Sequence, residues 1–99
     1  MARLLHQRKY LTKEGDIVEA KIWEIEKSGN FPHGLKYSFV YIHNGVRVFG
    51  YDNERAKGDH VHIFEDEEQY FFTNLKTIYH DFEEGVKKIR RILYGNKEN

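Results

Sequence analysis

Residues 35–51 read Leu35-Lys36-Tyr37-Ser38-Phe39-Val40-Tyr41-Ile42-His43-Asn44-Gly45-Val46-Arg47-Val48-Phe49-Gly50-Tyr51, and this stretch decides the fold. Leu35, Tyr37, Phe39 and Tyr41 alternate with Lys36, Ser38, Val40 and Ile42, the period of a strand. Aromatic and β-branched side chains suit a pleated surface. Asn44-Gly45 then separates two β-rich runs. Both residues tolerate positive φ, which the tightest hairpin turns demand. The reading is an antiparallel hairpin with strands over 35–43 and 46–51.

Upstream, 17–26 reads as a strand with apolar residues on both faces. Val18, Ala20 and Ile22 share one face; Ile17, Trp23 and Ile25 share the other. That pattern places it near the middle of the sheet, partly covered on each side. The turn Lys13-Glu14-Gly15-Asp16 separates it from a first strand over 3–12. Residues 27–34 form a loop around Gly29, Asn30 and the only proline, Pro32. Downstream, 52–58 is polar and loop-like, and 59–64 is a fifth strand. Residues 65–68 make an acidic turn, and 69–72 a short sixth strand.

The period then changes. Leu75, Ile78, Tyr79, Phe82, Val86, Ile89 and Leu93 form one apolar helical stripe. Thr73 or Asn74 supplies the N-cap, and Gly95 a stop. Asp81, Glu83 and Glu84 precede Lys87, Lys88, Arg90 and Arg91, which places cations where the helix dipole favours them. Gly85 inside this helix costs about 1 kcal/mol against alanine, a cost that marks close packing on the sheet. The fold class expected is α+β: a mostly antiparallel sheet of five to six strands with one C-terminal amphipathic helix packed on it. Residues 1–99 form a single domain.

Composition narrows the function classes. Apolar residues make up 39% and charged residues 32% of the 99, a balance that excludes a disordered chain. Net charge is zero, so a nucleic-acid partner depends on local patches. With no cysteine there is no disulfide framework, no thiolate nucleophile and no Cys-ligated zinc. No apolar run reaches the length of a membrane span, and none at the N-terminus resembles a signal peptide. The expected location is the cytoplasm, with no membrane partner.

The polar chemistry gathers in Tyr51-Asp52-Asn53-Glu54-Arg55-Ala56-Lys57-Gly58-Asp59-His60-Val61-His62. His60 and His62 are two apart, so a strand puts both imidazoles on one face. Val61 and Ile63 then point into the core. Asp52 and Asp59 are carboxylates that can orient an imidazole. Arg55 and Lys57 are cations for a phosphate, Tyr51 can stack on a base, and Asn53 stands with them. Metal-independent RNA cleavage needs a base, an acid and a cation at the phosphorane. A histidine pair with a nearby Arg or Lys supplies all three. The plainer alternative is a structural histidine pair in a non-catalytic module that binds RNA or protein. His-x-His with a carboxylate is also a metal-ligand spacing. The sequence shows no obvious third ligand, so neither metal nor cofactor is expected. His6, His33, His43 and His80 read as scattered surface or helix-end residues.

The run from Val48 through His62 resembles the central signature of the TumE-type toxin family of prokaryotic toxin–antitoxin systems. The family pattern is Tyr-Asp-Asn, a spacer, Lys-Gly-Asp-His-x-His, an aromatic pair and a C-terminal helix. Tyr70-Phe71-Phe72, the stripe from Leu75 to Phe82, and the opening Gly15-Asp16-Ile17-Val18 with Trp23 fit it. The resemblance implies a growth-inhibiting toxin whose partners are a helix-turn-helix antitoxin and RNA or the ribosome. It points to Tyr51, Asp52, Asn53, Lys57, Asp59, His60 and His62. The acidic run Glu65, Asp66, Glu67, Glu68 departs from a surface suited to RNA and fits a basic antitoxin surface instead.

Overall fold

The computed structural model describes residues 2–54 and 57–95. Six strands form one sheet in sequence order: β1 (Arg3–Leu11), β2 (Ile17–Glu24), β3 (Leu35–His43), β4 (Val46–Glu54), β5 (Gly58–Ile63) and β6 (Asp66–Gln69). Each strand pairs antiparallel with the next. A helix, α1 (Leu75–Tyr94), follows. Asn44 and Gly45 turn the β3–β4 hairpin at φ of 50° and 77°, as the type I′ geometry requires.

Two boundaries differ from expectation. β4 continues past Tyr51 to Glu54, and Gly58 already belongs to β5, so most of the predicted 52–58 loop is ladder: Asp52 pairs with His60, Asn53 with Asp59 and Glu54 with Gly58. Polar residues are tolerated because Asp52 and Glu54 project from the face away from the helix. The second difference concerns 65–72. The acidic segment forms most of β6, while Tyr70 to Phe72 lie outside any strand. β6 is an edge with all four residues exposed. Charges suit such an edge because they discourage further pairing. Val61 packs against the core as expected. Ile63 does not, being 37% exposed at the end of β5.

One face of the sheet builds the core. Val18, Ala20 and Ile22 of β2, Tyr37, Phe39 and Tyr41 of β3, and Phe49 and Tyr51 of β4 meet Ile78, Phe82, Val86 and Ile89 of α1. The Phe82 ring lies 5.3 Å from Phe39 and 5.8 Å from Phe49, parallel to the latter within 5°. Gly85 explains itself here: a Cβ on it would lie 2.1 Å from the Phe49 ring. The helix is closed at both ends as its sequence implies. Asn74 accepts from the Thr77 amide at 2.8 Å, and the Gly95 amide donates to the Arg91 carbonyl at 2.8 Å. No helix among the described residues is long and apolar enough to cross a membrane.

Candidate functional site

Strand alternation divides the polar segment into two sets. Asp52, His60 and His62 project from the helix-free face, because Asp52 pairs with His60 and Gly50 with His62. Tyr51, Asn53, Asp59 and Val61 project toward the helix side. Across the helix-free face, Gln7, Lys21, Ser38, Asp52, His60 and Gln69 stand in one cross-strand row. Gly50 has no side chain to shield His62. A Cβ there would meet the Phe39 carbonyl oxygen at 2.2 Å, so glycine is required by the backbone of β3.

The first set converges. Asp52, His60 and His62 each offer one ligand atom, and the three atoms lie within 4.8 Å of one another. His60 Nε2 approaches Asp52 Oδ1 closely, and His62 Nε2 lies 3.6 Å from the same oxygen. Yet among the described residues none of these three atoms has a partner with hydrogen-bond geometry, and all three are shut away from solvent. The imidazoles sit edge to face, 4.7 Å apart. His60 is only 4% exposed. Its Nδ1–H donates to the Gly58 carbonyl at 3.1 Å, so in the neutral ring Nε2 carries the lone pair. Burial pushes the His62 pKa down, and the nearby Arg47 charge adds to it. Asp52 and Glu67 oppose these effects without reversing them.

Two residues not singled out in the sequence complete the cluster. Arg47 donates to Asp52 Oδ2 at 3.3 Å, leaving Oδ1 turned toward the histidines. Glu67 of β6 places Oε2 3.1 Å from His60 Nε2. Lys57 Nζ lies 3.5 Å from the same Glu67 oxygen. The signal for Glu67 was weak because its segment reads as a solvated turn. Arg47 follows from the bulge between Tyr41 and Ile42, which pairs Ile42 with Arg47 and brings its side chain to this face.

The second set has other partners. Tyr51 is buried against Phe49, Tyr70 and Phe82, so its ring presents no free surface for stacking. Asn53 is 3% exposed and bridges backbone, accepting from the Tyr37 amide at 2.9 Å and donating to the Leu35 carbonyl at 2.8 Å. Asp59 accepts from the Tyr37 hydroxyl at 2.6 Å, with His33 Nε2 3.6 Å away. It faces away from both His60 and His62, leaving Asp52 as the carboxylate beside them. Arg55 lies outside the described residues.

A separate network ties the helix end to the sheet. Asp16 accepts from Tyr41 at 2.8 Å and Tyr94 at 2.7 Å, with His43 Nδ1 2.9 Å away. Burial works against the Asp16 charge, but the hydrogen bonds from Tyr94, His43 and Tyr41 outweigh it and lower the pKa. His43 is therefore part of a structural tether between the turn before β2, β3 and α1. No sequence spacing announces that, since its members stand far apart in the chain.

A family model described as "Toxin TumE" matches residues 2–90. No curated protein and no solved structure matches the chain. The match spans the whole sheet and most of α1, including the converging histidines and Asp52. The chain belongs to the TumE toxin family.

Proposed function

We propose that this chain is the toxin of a toxin–antitoxin pair and that it acts on RNA, cleaving phosphodiester bonds at the Asp52–His60–His62 cluster. The observation that carries this reading is the convergence on one face of the sheet of three buried polar atoms that make no hydrogen bond among the described residues. A core does not require such an arrangement: burying polar groups without partners costs stability. Chemistry offers a reason to keep them. RNA cleavage through the 2′-hydroxyl removes a proton from that oxygen, forms an O–P bond and protonates the departing 5′-oxygen. Lone pairs and positive charge near the phosphate serve these steps. Arg47 and Lys57 stand beside the cluster, and Lys21 lies in the same cross-strand row. The cytoplasm, where RNA and a cognate helix-turn-helix antitoxin are found, is the proposed place of action.

The exposed β6 edge and its acidic residues supply a surface of the sign that a basic antitoxin segment would neutralise. The test of the catalytic reading is direct. Purified protein is incubated with labelled RNA, and the number of cleavages per protein molecule is counted. Multiple turnover that disappears in His62→Ala supports cleavage at the cluster. Stoichiometric RNA binding without cleavage overturns it in favour of a binding module.

A further inference from the structure

We propose that Asp52, His60 and His62 hold one divalent transition-metal ion, with Glu67 positioned as a further ligand. This rests on the site proposed above and concerns what that site binds. The sequence supplied a His-x-His pair without an obvious third ligand; the register of β4 on β5 supplies it by placing Asp52 opposite His60.

Three observations bear on the assignment. The first is convergence: one ligand atom from each of the three residues lies within 4.8 Å of the other two. Tetrahedral sites with ligands about 2.0–2.2 Å from zinc separate their donor atoms by roughly 3.4 Å. His62 Nε2 to Asp52 Oδ1, at 3.6 Å, and His60 Nε2 to Glu67 Oε2, at 3.1 Å, are near that spacing, while His60 Nε2 and Asp52 Oδ1 lie closer together than it and would separate on binding an ion. Second, the donors are buried without a hydrogen bond among the described residues: His60 is 4% exposed, and its Nε2 meets the Asp52 and Glu67 carboxylate oxygens without hydrogen-bond geometry. Third, the supporting groups are those that ligands need. The Gly58 carbonyl takes the Nδ1–H of His60, directing the other nitrogen inward. Arg47 takes Asp52 Oδ2, directing Oδ1 inward. Metal-binding histidines and carboxylates characteristically have such partners.

The same geometry bears on the expectation of a metal-free acid–base pair. In-line cleavage places base and acid on opposite sides of the phosphorus. Here both Nε2 atoms lie against the same Asp52 oxygen, and the His62 side chain is the less enclosed of the two. Nitrogen and carboxylate donors without sulfur suit zinc, manganese, iron or nickel rather than calcium. A cation held there supplies charge for a phosphoryl oxygen.

The experiment uses full-length protein freed of metal by chelation and then titrated with Co2+, followed by visible ligand-field absorption, with Zn2+ as competitor. Expected is one equivalent of Co2+ with the absorption of a low-coordinate nitrogen–oxygen site, displaced by Zn2+. His62→Ala and Asp52→Asn should weaken binding by more than the roughly 10–100-fold that loss of a supporting group costs. His80→Ala, on the exposed face of α1, should bind as wild type does. Binding that survives both site substitutions, or falls equally in His80→Ala, overturns the proposal, as does absence of the band in wild type. Imidazole NMR of wild type with Zn2+ gives a second readout independent of whether the variants fold. Shifts at His60 and His62 alone support the site; unshifted rings there overturn it. Growth inhibition separates the two proposals. If His62→Ala is non-toxic and wild type binds no Co2+, the metal falls while the toxic site stands. If Co2+ binds as expected but folded His62→Ala stays toxic, the metal stands and the toxic site falls.

Discussion

Replacing Gly85 by alanine tests how closely α1 lies on the sheet. In an open helix the change would stabilise by about 1 kcal/mol, because glycine gives up the most backbone entropy. This helix is not open at that point. The new Cβ would meet Phe49 Cζ at 2.1 Å and Cε2 at 2.3 Å. Phe49 is 4% exposed and stacked on Phe82, with Tyr51 at its edge, so its ring has little room to retreat. Overpacking a filled core costs about 1–3 kcal/mol, and the full occupation of this site places the cost toward the upper end. Subtracting the propensity gain leaves a net loss of about 2 kcal/mol. For a domain of this size that lowers the melting temperature by roughly 8–16 °C. Thermal and urea unfolding followed by circular dichroism measure it. Combining Gly85→Ala with Phe49→Leu should recover part of the loss, since shortening the ring removes the obstacle. If Gly85→Ala is as stable as wild type or more stable, the helix does not rest on Phe49 as described.

Other substitutions probe the remaining parts. Asn53→Ala removes the bridge between the Tyr37 amide and Leu35 carbonyl. Two unpaired backbone groups should cost about 2–4 kcal/mol in urea unfolding, and a loss under 1 kcal/mol would show that the bridge is not needed. Tyr51→Phe should leave stability within about 1 kcal/mol and leave toxicity intact, because the ring is core and its hydroxyl has no hydrogen bond among the described residues. Loss of toxicity in a folded Tyr51→Phe protein would assign the hydroxyl a role. The Asp16 network makes stability depend on pH. Its carboxyl titrates below the ordinary aspartate value, burial opposing and the Tyr94, His43 and Tyr41 hydrogen bonds prevailing. A depressed folded pKa stabilises the fold above the unfolded pKa, and that contribution drains away as pH falls through the folded value. Wild type should therefore lose stability on acidification below about pH 4. Asp16→Asn, already less stable near neutrality, should have a shallower acid slope; equal slopes would contradict the network's role.

The hairpin and the helix were legible because each carries its own local period and punctuation. Tyr37, Phe39 and Tyr41 alternate, Asn44-Gly45 sets the turn, and Asn74 and Gly95 mark the helix ends. β6 was hidden for the opposite reason. Asp66, Glu67 and Glu68 are poor strand formers with no buried face, and their pairing comes from β5. That concealed Glu67 as a neighbour of His60. The site was legible in composition but not in arrangement. Two-residue spacing places His60 and His62 on one face. Which aspartate joins them depends on the register between β4 and β5. That register gives Asp52 to the histidines and turns Asp59 to Tyr37. The Asp16–His43–Tyr94 network is likewise tertiary, joining a turn, a strand and the helix.

The central claim is that the helix-free face of the sheet carries the toxic site. The most direct measurement is growth of a host expressing wild type beside one expressing His62→Ala, with equal expression and folding confirmed by circular dichroism. His62 is chosen over His60 because its side chain, at 14% against 5% exposure, is less enclosed and its loss disturbs packing less. The account predicts arrest by the wild type and normal growth with the variant. Arrest by a folded His62→Ala protein to the same degree as wild type would contradict it.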